Sequence, residues 1–146
     1  MTGAWALLGA IAVVAVVAVV LRARDGRVRP AGAHAAEAHA DLPAPVRALL
    51  DPGTPVTLVQ LSTTFCANCR RTRTVLEELA DRTEGLRHVE LDVTDLPEVA
   101  ATLGVLRAPT TLALAPSGAE LLRVGGIPKP DALVAALRPH LPGPIG

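Results

Sequence analysis

Residues 56–71 read VTLVQLSTTFCANCRR. The run from Val56 to Ser62 is rich in β-branched and large aliphatic side chains and has the length of a buried strand. After Thr63, Thr64 and Phe65 come Cys66-Ala67-Asn68-Cys69, and beyond them Val75, Leu76 and Leu79 keep helical spacing. The chain's two cysteines therefore stand three residues apart where a strand passes into a helix. Cys66 falls at the helix start, where unpaired backbone N–H groups and the positive end of the dipole stabilise a thiolate, and Arg70, Arg71 and Arg73 add positive charge within two turns. The thiolate is the attacking species in disulfide exchange. Cys69, one turn on and facing inward, is placed to attack a mixed disulfide and release the product. Two other uses of the pair stay open. One is half a zinc site, for which the remaining candidates His88 and His140 lack ligand spacing; the other is a static disulfide, whose loop is too small to add much stability.

Working outward, Val46 to Leu50 reads as a short helical piece ended by Asp51-Pro52-Gly53. Gly85 reads as the stop of the helix that starts at the cysteines. Arg87 to Thr94 alternates as a strand, Pro97 to Leu103 is helical and closed by Gly104, and Thr110 to Ala115 is a strand. The turn Pro116-Ser117-Gly118 leads into a strand from Glu120 to Val124, and Asp131 to Leu137 is a final helix with Asp131 as its expected N-cap. The order is β-α-β-α-β-β-α. A helical crossover implies a parallel pair and a three-residue turn an antiparallel one, so the expectation is an α/β fold of three layers, a mixed sheet with helices on both faces.

With these elements placed, the chain resembles the thioredoxin-like superfamily over roughly residues 45–141. The resemblance rests on the strand followed by Phe65-Cys66-Ala67-Asn68-Cys69-Arg70, on Ala108-Pro109-Thr110 forty-three residues after Cys66, and on Arg123-Val124-Gly125-Gly126 before the last helix. It implies that Pro109 is cis and packs against the cysteine pair, that Ala108 offers its backbone to an extended substrate segment, and that protein thiols and disulfides are the substrates. A redox partner resets the pair, and no metal or organic cofactor is implied. The chain departs from the family in three places. Phe65 stands where a tryptophan is usual, keeping an apolar wall without the indole donor. Ala67-Asn68 replaces the Gly-Pro of reducing thioredoxins. Gln60, six residues before Cys66, stands where the family has a buried aspartate that helps to deprotonate the second cysteine, and an amide cannot take a proton. Glu90, on the adjacent expected strand, is the candidate replacement carboxylate behind Cys69, hydrogen-bonded to Gln60. The competing reading makes Gln60 a core polar residue and Glu90 an outward-facing one.

The N-terminal end has a different character. Of residues 1–21 only Thr2, Gly3 and Gly9 are not hydrophobic, and Gly3 to Leu21 gives about 28 Å of helix at roughly 1.5 Å per residue, enough to span a bilayer. No basic residue precedes this run, so an uncleaved anchor is favoured over a signal peptide or a buried core helix. Arg22, Arg24, Arg27 and Arg29 follow it, which by the positive-inside rule places the long domain in the cytoplasm; an outward-facing domain is the alternative, and the resemblance pulls towards it. Residues 22–44 read as a tether passing into a short Ala-rich helix, with His34 and His39 as solvated linker histidines, and 142–146 as a tail.

Composition is the sum of these parts. The chain has 146 residues, 50% hydrophobic, with formal net charge zero. That balance divides into +3 over residues 1–30 and −3 over the rest. Length excludes two full domains, and a mildly acidic domain whose one aromatic is Phe65 lacks the basic face and stacking rings of a nucleic-acid binder. The expected function is a membrane-tethered thiol–disulfide oxidoreductase, with a non-catalytic module carrying a redox-sensitive cysteine latch as the alternative. Direction of electron flow depends on the pair's potential and on the compartment.

Overall fold

The computed structural model describes residues 2–31 and 42–143. The readings of His34 and His39, and of the Ala-rich helix expected at the end of the tether, fall on residues 32–41, outside the described residues. The first helix, α1, runs Thr2–Arg24, and every described side chain from Ala4 to Leu21 is exposed. Its 23 residues give about 34 Å of rise. It is long and apolar enough to cross a membrane and none of its apolar stretch is buried, which removes the core-helix alternative.

Part of the segment read as a tether carries regular structure. The helix continues to Arg24, and Val28–Pro30 forms strand β1 at the edge of the sheet. The remaining elements are α2 Ala44–Arg47, β2 Val56–Ser62, α3 Ala67–Asp81, β3 Leu86–Asp92, α4 Pro97–Thr102, β4 Thr110–Leu114, β5 Glu120–Gly125 and α5 Pro130–Leu137, closed by a 3-10 turn at Arg138–His140. The five strands lie in the order β1-β5-β4-β2-β3, with β2 and β3 parallel and the other pairs antiparallel.

Alternation along β2 sets the layers, since successive side chains of a strand point to opposite faces. All seven β2 residues are buried. Val56 and Leu58 join Leu76 and Leu79 of α3 and Leu133 and Leu137 of α5 in one aliphatic cluster; Val59 and Leu61 join Val46, Val99 and Leu103 on the other face. Gln60 shares the parity of Val56 and Leu58 and so faces α3. The parallel register pairs Leu58 with His88 and Gln60 with Glu90, which puts His88 and Glu90 on that face too.

Three local readings need correction. Asp131 is not the N-cap of α5: Lys129 occupies that place without a side-chain cap, and Asp131 sits in the first turn, where its charge suits the dipole. Gly85 does not stop α3, which ends at Asp81; with φ of +79° it turns the chain into β3. The helix expected at Val46 to Leu50 starts two residues earlier, on Ala44-Pro45, because proline is suited to a first helical turn.

Candidate active site

The junction of β2 and α3 carries the two cysteines. Cys66 is the N-cap of α3, with φ −90° and ψ 103°, and its Sγ accepts a hydrogen bond from the Cys69 N–H at 3.1 Å. This is the place where a helix has spare donors, so charge on this sulfur is stabilised by the backbone itself. Cys66 is partly exposed, Cys69 is 3% exposed, and the two form a disulfide.

Beneath Cys69 lies a polar cluster in an otherwise aliphatic face. The Gln60 side chain, fully buried, donates from Nε2 to the Cys69 carbonyl at 2.8 Å and to Glu90 Oε1 at 3.3 Å. Its Oε1 lies 3.1 Å from His88 Nε2. With both Nε2 hydrogens committed, Oε1 is the acceptor and His88 donates. The second carboxylate oxygen of Glu90 pairs with Arg73 of α3. Burial pulls the His88 imidazole below its ordinary value, against the opposing pull of Glu77 and Glu90, so the ring is neutral at pH 7.

Glu90 thus faces inward and meets Gln60. His88 and Arg73 complete the cluster, and the sequence reading did not give them this place. The alternation of Leu86, His88 and Glu90 on one face of β3 was the signal available for His88.

The remaining sequence candidates distribute around this centre. Arg70 and Arg71 are exposed on α3, as are Ala67 and Asn68 in its first turn. Phe65 does not form an apolar wall: it is 96% exposed and holds φ at +62°, a left-handed conformation uncommon for a bulky residue. The loop before it is pinned by the Thr64 N–H donating to Thr94 Oγ1 at 2.9 Å, while the Thr94 N–H donates to Asp92 Oδ1 at 2.8 Å. The Thr94 hydroxyl and amide together hold the Asp92 carboxyl below the usual range.

The Ala108–Pro109 peptide is cis. Its surroundings are fixed by the glycine pair: the Gly126 N–H donates to the Pro109 carbonyl at 2.8 Å, and Arg107 donates to the Gly125 carbonyl at 3.1 Å. Thr110 is buried and its hydroxyl donates to the Arg107 carbonyl at 2.7 Å. Ala108 borders an open, mainly apolar groove of about 710 Å³ that also reaches Thr63, Val93 and Leu106.

A thioredoxin-type sheet with an accessible sulfur at a helix N-terminus and its disulfide partner buried one turn on defines the class of thiol–disulfide oxidoreductases. Residues 47–139 match the Thioredoxin family model, and the chain belongs to the thioredoxin family. An Aspergillus fumigatus thioredoxin is 36% identical over 86 residues, 58% of this chain and 76% of the relative. An Arabidopsis thaliana thioredoxin is 32% identical over 74 residues, and the match spans 51% of this chain but only 55% of that relative. Among solved structures, a Nicotiana alata thioredoxin superposes with a TM-score of 0.52 at 30% identity, covering 60% of this chain and 74% of the other. A point-mutant Halobacterium salinarum thioredoxin gives 0.55 at 26%, covering 62% and 78%.

Proposed function

We propose that the chain is a membrane-tethered thiol–disulfide oxidoreductase acting on protein disulfides, with Cys66 as nucleophile and Cys69 as resolving thiol. The observation that carries this reading is the unequal setting of the two sulfurs, one partly exposed at the start of α3 and the other buried above Gln60. In the reduced chain the Cys66 thiolate attacks a substrate disulfide, joining one substrate sulfur and expelling the other as a thiolate. Deprotonated Cys69 then attacks Cys66 Sγ. The second substrate sulfur leaves as a thiolate and takes up a proton, the Cys66–Cys69 disulfide closes, and two electrons have passed to the substrate. A second redox protein returns the pair to the dithiol. An extended substrate segment would lie along Ala108, Pro109 and Thr110, with Phe65 and the groove beside Ala108 giving apolar contact. The opposing reading, a non-catalytic module with a cysteine latch, draws on Gln60, whose amide cannot take the proton of Cys69.

In this reading the Glu90 carboxylate takes up the proton that Cys69 loses, while the Gln60 amide, donating to Glu90 and to the Cys69 carbonyl, holds the two together. Glu90→Gln is expected to move the pH profile of insulin reduction towards higher pH and to lower the rate at neutral pH by roughly tenfold, as about one unit of pKa change would. An unchanged profile would remove Glu90 from the mechanism.

Residues 1–21 are the anchor, 45–141 the catalytic domain and 142–146 the tail, and the arginines from 22 to 29 keep the domain in the cytoplasm. Thiol labelling of intact cells tests both the roles and the side. A permeant alkylating reagent should modify Cys66 ahead of Cys69, and an impermeant one should reach neither until lysis. Labelling of Cys66 by the impermeant reagent in intact cells would place the domain outside, and faster modification of Cys69 would reverse the roles.

A further inference from the structure

The passage from α1 into the sheet is short and tightly bonded. The Asp25 N–H donates to the Leu21 carbonyl at 3.1 Å, and the next amide, that of Gly26, donates to the Gly125 carbonyl at 2.8 Å. Asp25 pairs with Arg107 at 3.1 Å, and β1 adds Val28 opposite Val124. The end of the apolar helix is therefore held directly on the β5 edge.

At this junction is a cleft of about 290 Å³ lined by five arginines, Arg24, Arg27, Arg29, Arg107 and Arg123, together with Leu21. Two of the five have carboxylate partners: Arg107 meets Asp25, and Arg123 makes a two-bond pair with Glu120 at 2.6 and 2.8 Å. Arg24, Arg27 and Arg29 have none among the described residues, so the cleft keeps an excess of about three positive charges. Repulsion among them is relieved by an anion, and the planar fork of each guanidinium suits the paired oxygens of a phosphate. Leu21 fixes the depth. It is the last residue of a stretch about as long as the hydrocarbon core is thick, so residues one turn further along lie at the level of the headgroups.

We propose that this cleft binds the phosphate of an anionic phospholipid headgroup. The proposal rests on the reading that α1 spans the bilayer. It adds a ligand site away from the cysteines, and it ties the domain to the membrane surface at Arg107, the residue before Ala108 and Pro109. Each guanidinium near an anionic surface strengthens association about fivefold, so removing three should be felt strongly.

The test uses the full chain reconstituted in vesicles of phosphatidylcholine and phosphatidylglycerol, extracted in mild detergent and examined by native mass spectrometry. The wild-type chain is expected to retain one phosphatidylglycerol in preference to phosphatidylcholine. Arg24→Gln, Arg27→Gln and Arg29→Gln together should lower that preference at least about tenfold. The corresponding lysine substitutions, which keep the charge without the planar fork and control for folding, should retain more of it than the glutamine variant. Equal retention of the two lipids by the wild type, or undiminished preference in the glutamine variant, would overturn the proposal. So would complete displacement of the lipid by inorganic phosphate, which would make the cleft a site for the free ion. Alkaline washing of the vesicles separates the two readings: a chain that washes off fails as a membrane-spanning protein, and one that stays without headgroup preference fails on this proposal alone.

Discussion

Replacing Cys69 with serine is expected to end turnover and leave the chain joined to its substrate through Cys66. The sulfur at the N-cap of α3 is partly exposed and backed by helix donors, so the first attack needs nothing from residue 69 except its backbone N–H, which serine keeps. The second attack needs a thiolate at that place. A serine hydroxyl is close in size but neither ionises near neutrality nor accepts a disulfide, so the reaction halts at the mixed disulfide. Incubating the reduced Cys69→Ser chain with a model protein disulfide should give a covalent adduct on non-reducing electrophoresis that dithiothreitol releases. Cys66→Ser should give neither adduct nor turnover. An adduct through Cys69 in the Cys66→Ser chain, at the rate seen for Cys69→Ser, would show that the unequal burial of the two sulfurs does not set their roles.

The second large effect concerns the join between α1 and the sheet. Gly26 has φ of +69°, and a Cβ there would lie 2.2 Å from the Ile127 carbonyl oxygen, which is backbone and cannot swing aside. Gly26→Val adds about 1–2 kcal/mol for the left-handed conformation alone. Relieving the clash also breaks the hydrogen bond to Gly125, worth about 1 kcal/mol. Amide exchange in β1 should rise about a hundredfold, the equivalent of roughly 3 kcal/mol, while exchange in β2 and β4 stays as it was. Unaltered protection of β1 would mean that the strand is held independently of the turn that leads into it. Loss of protection throughout the sheet would mean that β1 is integral to the folding unit.

These two positions also mark how far the sequence could be read. The strand from Val56 to Ser62 and the helix behind Cys69 were legible because a β-branched, aliphatic run and a helical apolar stripe are local patterns. Strand β1 was not. Val28, Arg29 and Pro30 have no periodicity of their own, and they become a strand because β5 offers an unpaired edge that lies far away in sequence. The same holds at the site. Gln60 and Glu90 could be paired by counting along two expected strands, whereas Arg73 reaches Glu90 from a different element and His88 drew notice only as a metal ligand. Phe65 was read as an apolar wall because it stands where the resemblance puts a tryptophan. Its positive φ turns the ring outwards, and no residue type announces that in advance.

One consequence is an aliphatic domain core among the described residues, with the domain's one aromatic ring outside it and immediately before Cys66. A second is that, among the described residues, no aspartate lies buried behind this pair. The amide of Gln60 holds Cys69 from below while Glu90, His88 and Arg73 surround that amide.

The most direct test of the central claim is insulin reduction by the full chain in detergent, followed by turbidity with dithiothreitol as the electron source. The cysteine pair is expected to cycle and to accelerate precipitation well above the rate with dithiothreitol alone. A pair that is reduced and reoxidised reversibly while insulin reduction stays at the dithiothreitol rate would contradict the enzyme and leave a binding module with a redox latch.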